Sequence, residues 1–102
     1  MKILCCCNHG NVRSACLARE LKDKGHEAIA IGLMPRVSEN RDRSTIDMLC
    51  LWADKIIDMS DGYGTRLSEQ HKVTRLNIGE DVWGNPFHPA LREIIRARME
   101  NL

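Results

Sequence analysis

The first 32 residues follow a strand–helix–strand pattern, which restricts the chain to few folds. A short apolar run over residues 2–6 predicts a buried strand, and a turn cluster at residues 8–11 ends it. From Ser14 the apolar residues recur at helical spacing until Gly25, a residue type that commonly follows the last turn of a helix. Residues 27–31 then alternate like a second strand. Two strands joined by a helix are typical of the βαβ unit, so the pattern predicts a parallel sheet.

The remainder of the chain continues this alternation of helices and strands. In chain order the predicted elements are a loop over 34–43, a helix over 44–53, a strand over 55–58, a weak helix over 60–69, a strand over 73–78 and a final helix that begins at Pro89. The predicted fold class is therefore α/β. We expect a single domain over residues 1–102, with three layers, α/β/α, around a four-stranded parallel sheet.

Charge and composition exclude several classes of partner. The chain has 15 basic and 14 acidic side chains and a formal net charge of +1, which gives no electrostatic basis for binding nucleic acid or a membrane surface. Two Trp, one Tyr and one Phe are too few for a platform that stacks bases. No apolar run approaches the ~20 residues that span a bilayer, and the start of the sequence does not resemble a secretory signal, so we expect none. We expect a cytoplasmic protein that binds neither nucleic acid nor membranes.

The five cysteines do not suit a disulfide framework or a metal site. Their number is odd, and three of them, Cys5, Cys6 and Cys7, are consecutive, so that neighbouring thiols point to opposite faces of a strand. Zinc sites need paired ligands at spacings that the chain does not repeat. We therefore predict no metal and no organic cofactor, and ask instead whether one thiol is reactive.

The segment C-N-H-G-N-V-R-S over residues 7–14, here called the 7–14 loop, joins the first strand to the first helix. Backbone N–H groups converge at such a junction and favour an oxyanion. Gly10 and Asn11 tolerate the left-handed backbone of a tight cradle, and Arg13 can bind two phosphate oxygens at once. Ser14 can hydrogen-bond the sulfur of Cys7, and the positive surroundings favour its thiolate. These parts predict a phosphate pocket with Cys7 as nucleophile.

The 7–14 loop, in this position, resembles the signature loop of the low-molecular-weight protein tyrosine phosphatases. Further likeness lies in A-I-G at residues 30–32, in W-A-D-K-I-I-D-M-S at residues 52–60 and in D-V-W-G at residues 81–84. The last resembles the family loop that bears the general acid. Three departures are visible: glycine and asparagine follow the cysteine one place later than usual, valine replaces the proline after the acid, and the chain is short for the family.

The resemblance implies a family-like fold and a phosphatase acting on phosphotyrosine proteins or small aryl phosphates, with a phosphate or sulfate anion bound in the loop. The residues that it assigns to catalysis are Cys7, Arg13 and Asp81. The residues that it assigns to substrate and phosphate binding are Asn8, His9, Gly10, Asn11, Val12, Ser14 and Trp83.

Several alternatives remain open from the sequence. Glu80, Asp58 and Asp61 compete with Asp81 as the general acid, and Trp83 also suits a structural role. Other functions on this pattern are a phosphocysteine carrier resembling the B component of sugar phosphotransferase systems, an arsenate reductase, and a silent phosphate-binding module. A disulfide from Cys7 to Cys6 or Cys16 would give redox protection of the nucleophile.

Overall fold

The computed structural model describes residues 1–34, 43–80 and 82–100 of the chain. The predicted loop over 34–43 lies almost wholly outside these residues. The strands are β1 (Lys2–Cys7), β2 (Glu27–Gly32), β3 (Lys55–Asp58) and β4 (Val73–Arg75). The helices of the described part are α1 (Arg13–Asp23), α2 (Arg43–Trp52) and α3 (Pro89–Met99), with two short 3₁₀ turns at Gly64–Arg66 and Gln70–Lys72.

The four strands form one parallel sheet in the order β2-β1-β3-β4. β1 is central: Leu4 stands opposite Ile29 of β2 on one side and Ile56 of β3 on the other. The chain leaves β1 to one side and later returns to its other side, which creates a topological switch point beside β1. In open α/β sheets, ligands bind outside the carboxyl ends of the strands at such a point. The predicted α/β class with a four-stranded parallel sheet is confirmed.

The alternating side chains of β1 divide the interior into two cores, one on each face of the sheet. The α1/α3 core includes Ile3, Cys5 and Cys7 of β1 together with Leu17, Leu21, Leu91 and Ile95 of the helices. The α2 core includes Leu4 and Cys6 of β1 together with Ile46, Cys50 and Ala53. Helices therefore cover both faces of the sheet, as a three-layer fold requires.

Two predicted elements in the second half of the chain were wrong in extent. The weak helix over 60–69 is only a 3₁₀ turn, because Asp58 accepts hydrogen bonds from the backbone N–H and hydroxyl of Ser60, and Ser60 accepts one from the N–H of Tyr63. Such side-chain bonds offer the backbone an alternative to the helix. The strand over 73–78 ends at Arg75, because its partner strand ends at Asp58, opposite Arg75.

Glu20 on α1 ties this helix to α3 by two ion pairs. Its buried carboxylate accepts from Nε of Arg92 at 2.6 Å and from Nε of Arg96 at 3.0 Å, although both arginine side chains are about half exposed. Burial by itself raises the pKa of Glu20, but the hydrogen bonds from Arg96 and Arg92 outweigh it, and the pKa lies below the ordinary value.

We expect Glu20→Gln to destabilise the protein by about 1 kcal/mol or more at neutral pH, since both half-exposed arginines lose a charged partner. A carboxyl whose pKa is lowered by folding contributes stability above its unfolded pKa and loses it as the pH falls through the folded value. The difference between wild type and variant should therefore shrink as the pH falls below about 4.5. Urea denaturation at several pH values measures it, and a constant difference would contradict the assignment.

Candidate functional site

Cys7 is the last residue of the central strand and lies at the carboxyl end of the sheet. Its side chain is 0% exposed, and its carbonyl accepts a hydrogen bond from the N–H of Leu33 at 2.9 Å. Two polar groups of the 7–14 loop contact the sulfur: the hydroxyl of Ser14 at 3.0 Å and the backbone N–H of Gly10 at 3.2 Å. Both contacts come from the 7–14 loop, so the loop folds back over the sulfur at the end of β1.

Gly10 allows the loop to fold closely against the end of β2. Its φ of +81° is in the left-handed region, and a Cβ at this position would lie 2.4 Å from the backbone nitrogen of Gly32 and 2.6 Å from the carbonyl carbon of Ile31. Any side chain would displace backbone atoms. The loop therefore requires glycine at this place, one position later than in the family that it resembles.

Arg13 begins α1 and is buried, with only 1% of its surface exposed. Its Nη1 donates to the carbonyl oxygen of Gly79 at 3.1 Å and lies 3.6 Å from a carboxylate oxygen of Asp61. Its Nε and Nη2 are also buried, and neither has a hydrogen-bond partner among the described residues. These two nitrogens share one edge of the planar guanidinium, which is the edge that can bind two oxygens of one anion.

The first turn of α1 contributes a positive electrostatic potential, and no side chain of that turn offsets it. It carries no acidic residue, and the side chain of Val12 before it makes no capping hydrogen bond. Unpaired N–H groups at a helix start favour an anion. The 7–14 loop therefore combines helix N–H groups, a buried guanidinium edge and a sulfur atom within eight consecutive residues.

Asp61 belongs to this site, although the sequence suggested it only as one of several candidate acids. Its carboxylate accepts from the side-chain amide of Asn8 at 2.6 Å, and its backbone N–H donates to the side-chain oxygen of Asn8 at 2.9 Å. Asp61 follows β3, and the carboxyl ends of neighbouring parallel strands share one edge of the sheet. The predicted strand topology could therefore have placed Asp61 in the site. Nothing in the sequence indicates that the carbonyl of Gly79 also contacts Arg13.

The other site residues predicted from the sequence differ in how deeply they are buried. His9 and Asn11 are exposed on the loop, and Val12 packs against the α1/α3 core. Asp81 lies outside the described residues. Of the other candidates for the general acid, Glu80 is exposed. Asp58 is buried, and its carboxylate accepts hydrogen bonds from Ser60 and forms an ion pair with Arg75.

Trp83 packs against the α1/α3 core and contacts the ring of His88 edge-on, with the two ring centroids 5.3 Å apart. Its indole Nε1 is buried without a partner in the described part of the chain. Nδ1 of His88 in turn accepts from the backbone N–H of Ala90 at 3.2 Å and caps α3. These contacts fit the structural role that the sequence left open for Trp83.

The remaining cysteines are buried structural residues. Burial raises the pKa of Cys5 to about 12, and it also raises the pKa values of Cys6 and Cys16. Cys6 lies in the α2 core, on the face of the sheet opposite Cys7, so a bridge between them would require the strand to rearrange. Cys16 shares the α1/α3 core with Cys7.

The described surface outside the 7–14 loop includes a cavity with both charged and apolar lining residues. A cavity of about 240 Å³ lies between α1, α3 and the loop before α3, lined by Cys16, Arg19, Glu20, Pro86, Phe87 and Arg92. In residues 1–34, 43–80 and 82–100, no group of three or more His, Cys, Asp or Glu side chains is arranged to hold a metal ion. Within the same ranges, none of the helices has the length and apolar character needed to span a membrane.

Comparison of the chain with protein-family models, with curated proteins and with solved structures finds no match.

We expect Gly10→Ala to destabilise the protein by about 2–4 kcal/mol, because a left-handed backbone and a backbone clash are both penalised. Gly25→Ala is the matched control, since its φ is also positive, at +92°, but no atom lies within 4 Å of its Cβ position. The control should therefore cost only about 1 kcal/mol. Urea denaturation compares the two, and equal losses would show that the loop does not closely approach β2.

Proposed function

We propose that the chain is a cysteine-dependent phosphatase of the low-molecular-weight protein tyrosine phosphatase type, acting on phosphotyrosine proteins or small aryl phosphates. The observation that carries the proposal is the buried guanidinium of Arg13, whose Nε and Nη2 have no partner among the described residues, in the same loop as the Cys7–Ser14 contact. A buried cation with unmatched donors is costly unless an anion binds it. A phosphate matches that edge in shape and in charge.

In the first step, the Cys7 thiolate attacks phosphorus and a P–S bond forms while the P–O bond to the aryl group breaks. Arg13 and the loop N–H groups bind the non-bridging oxygens and stabilise the charge that develops on them. Asp81 donates a proton to the leaving phenolate oxygen. We assign this role to Asp81 on the resemblance of D-V-W-G to the family's acid loop.

In the second step, a water molecule attacks the phosphocysteine and gives its proton to Asp81. The P–S bond breaks, inorganic phosphate leaves, and the Cys7 thiolate is restored. The Ser14 hydroxyl, 3.0 Å from the sulfur, stabilises this departing thiolate by a hydrogen bond. No metal or organic cofactor takes part in either step.

The position of the loop also supports this proposal. It follows the central strand at the switch point of the sheet, where open α/β folds bind their ligands. Arg13 at the end of the loop disfavours the phosphocysteine carrier, because the carriers that this pattern resembles generally lack an arginine at that place. Arsenate reduction would need a thiol relay, but Cys50 lies in the α2 core, across the sheet from Cys7.

We expect the purified protein to hydrolyse p-nitrophenyl phosphate in the presence of a metal chelator, with inhibition by vanadate. Cys7→Ser should abolish turnover, because a hydroxyl at this position is a far weaker nucleophile than a thiolate. Steady-state release of nitrophenol measures both. Turnover by Cys7→Ser would contradict the proposal, and stoichiometric phosphocysteine without turnover would indicate the carrier.

Arg13→Lys is the companion variant in the same assay. Lysine keeps the charge but cannot place two coplanar donors on one anion, so we expect kcat/KM to fall by about 10²-fold or more. Nearly normal kinetics would show that the guanidinium edge does not bind the phosphate.

The role of Asp81 is tested through the leaving group. Phenolate from phosphotyrosine, whose conjugate acid has a pKa of about 10, needs a proton more than nitrophenolate does. We therefore expect Asp81→Asn to slow the phosphorylation step by about 10²-fold for phosphotyrosine, and by less for p-nitrophenyl phosphate. Burst kinetics separate this step from phosphocysteine hydrolysis. Equal slowing of both substrates, or of neither, would exclude Asp81 as the acid.

A further inference from the structure

We propose that Asp61 is a positioning residue that clamps both ends of the 7–14 loop in the shape that binds phosphate. This inference rests on the proposed function, since it describes what keeps the phosphate-binding residues of the same loop in place. Asp61 comes from the turn after β3, so the clamp joins the carboxyl ends of two neighbouring strands.

The two oxygens of the Asp61 carboxylate face two different parts of the loop. Oδ2 accepts from the side-chain amide of Asn8, the residue directly after Cys7, at 2.6 Å. Oδ1 lies 3.6 Å from Nη1 of Arg13, the residue that begins α1. The backbone N–H of Asp61 also donates to Asn8 at 2.9 Å. One carboxylate therefore links the start of the loop to its end.

The contact with Arg13 determines which edge of the guanidinium faces the pocket. Because Nη1 is occupied by Asp61 and by the carbonyl of Gly79, the Nε and Nη2 edge is the one that is left for an anion. Rotation of the guanidinium would break both contacts. Asp61 thus positions Arg13 and does not itself contact the reacting atoms.

Asp61 is itself held by a rigid turn, although its side chain is 55% exposed. Asp58, at the end of β3, accepts from the N–H of Ser60 at 2.8 Å and from its hydroxyl at 2.6 Å. Arg75 of β4 donates to the carbonyl of Ser60 and lies 3.5 Å from a carboxylate oxygen of Asp58. These contacts fix the backbone immediately before Asp61, so its carboxylate is preorganised against the loop.

The direction in which the loss of Asp61 changes phosphate affinity shows whether Asp61 positions the loop or only lies near it. A carboxylate close to an anion pocket repels phosphate, so removing one that does not position the loop would tighten phosphate binding. A clamp has the opposite effect, because its loss lets the loop and Arg13 leave the binding geometry. We expect Asp61→Ala to weaken phosphate binding despite the loss of negative charge.

The experiment measures the dissociation constant of inorganic phosphate by calorimetry, together with turnover of p-nitrophenyl phosphate. Asp61→Ala should weaken phosphate binding by about tenfold, the effect of losing hydrogen bonds to a charged group. Asp54→Ala is the matched control: its carboxylate also accepts a backbone hydrogen bond, from the N–H of Lys2 at 2.8 Å, but at the opposite end of the sheet. The control should leave phosphate binding unchanged.

A double-mutant cycle tests whether Asp61 acts through Asn8. Asn8→Ala should also weaken phosphate binding, and the double variant should be little worse than Asp61→Ala alone, because both substitutions break the same contact. Additive losses would contradict a clamp. Urea midpoints are measured in parallel, so that a general loss of stability is told apart from a local change in the loop.

Alkylation of Cys7, followed by peptide mass mapping, gives a readout that does not depend on turnover. The clamp keeps the sulfur fully buried, so Asp61→Ala should raise the rate of alkylation at Cys7 but not at Cys5, on the same strand. An unchanged rate at Cys7 would contradict the inference.

Failure of the inference and failure of the proposed function give different results. If wild type binds phosphate and turns over substrate, but Asp61→Ala binds phosphate equally or more tightly, Asp61 is not a clamp and the phosphatase proposal stands. If the loss in Asp61→Ala is confined to substrates with poor leaving groups, Asp61 is the proton donor instead. If wild type neither binds phosphate nor hydrolyses the substrate, both proposals are overturned.

Discussion

The burial of the Arg13 guanidinium is the constraint on which the candidate site depends. A cation removed from water must be matched by hydrogen-bond acceptors and negative charge, or the folded state loses stability. Among the described residues, the carbonyl of Gly79 and the carboxylate of Asp61 supply part of this match. Nε and Nη2 have no partner among the described residues, and this is the edge to which the proposed phosphate would bind.

Three separate segments meet at Arg13, and each depends on the parallel sheet. The 7–14 loop follows β1, Asp61 follows β3, and Gly79 comes a few residues after β4. Parallel strands bring their carboxyl ends to one edge, so side chains far apart in sequence converge there. The same geometry requires close backbone packing, which the left-handed Gly10 permits against Gly32. The chemistry of the site therefore relies on backbone fit as much as on charged side chains.

The cysteines show how one residue type has different properties on one strand. Cys5 and Cys6 are enclosed by the two cores, and burial raises their pKa values, so they behave as small apolar residues. Cys7 differs because the strand ends there and the loop turns back over it, which brings the Ser14 hydroxyl and the Gly10 N–H to its sulfur. Position relative to the end of β1 thus separates the proposed nucleophile from its neighbours.

The sequence by itself determined the α/β class, the order of the main elements and the 7–14 loop, because apolar periodicity and the junction of strand and helix are local properties. It overestimated the helix after Ser60 and the length of β4, where side-chain hydrogen bonds and the end of β3 decide the outcome. Only the tertiary structure decided that Asp61 and Gly79 contact Arg13. Those contacts join residues 48 and 66 positions apart, and such pairings depend on strand order, which no local pattern encodes.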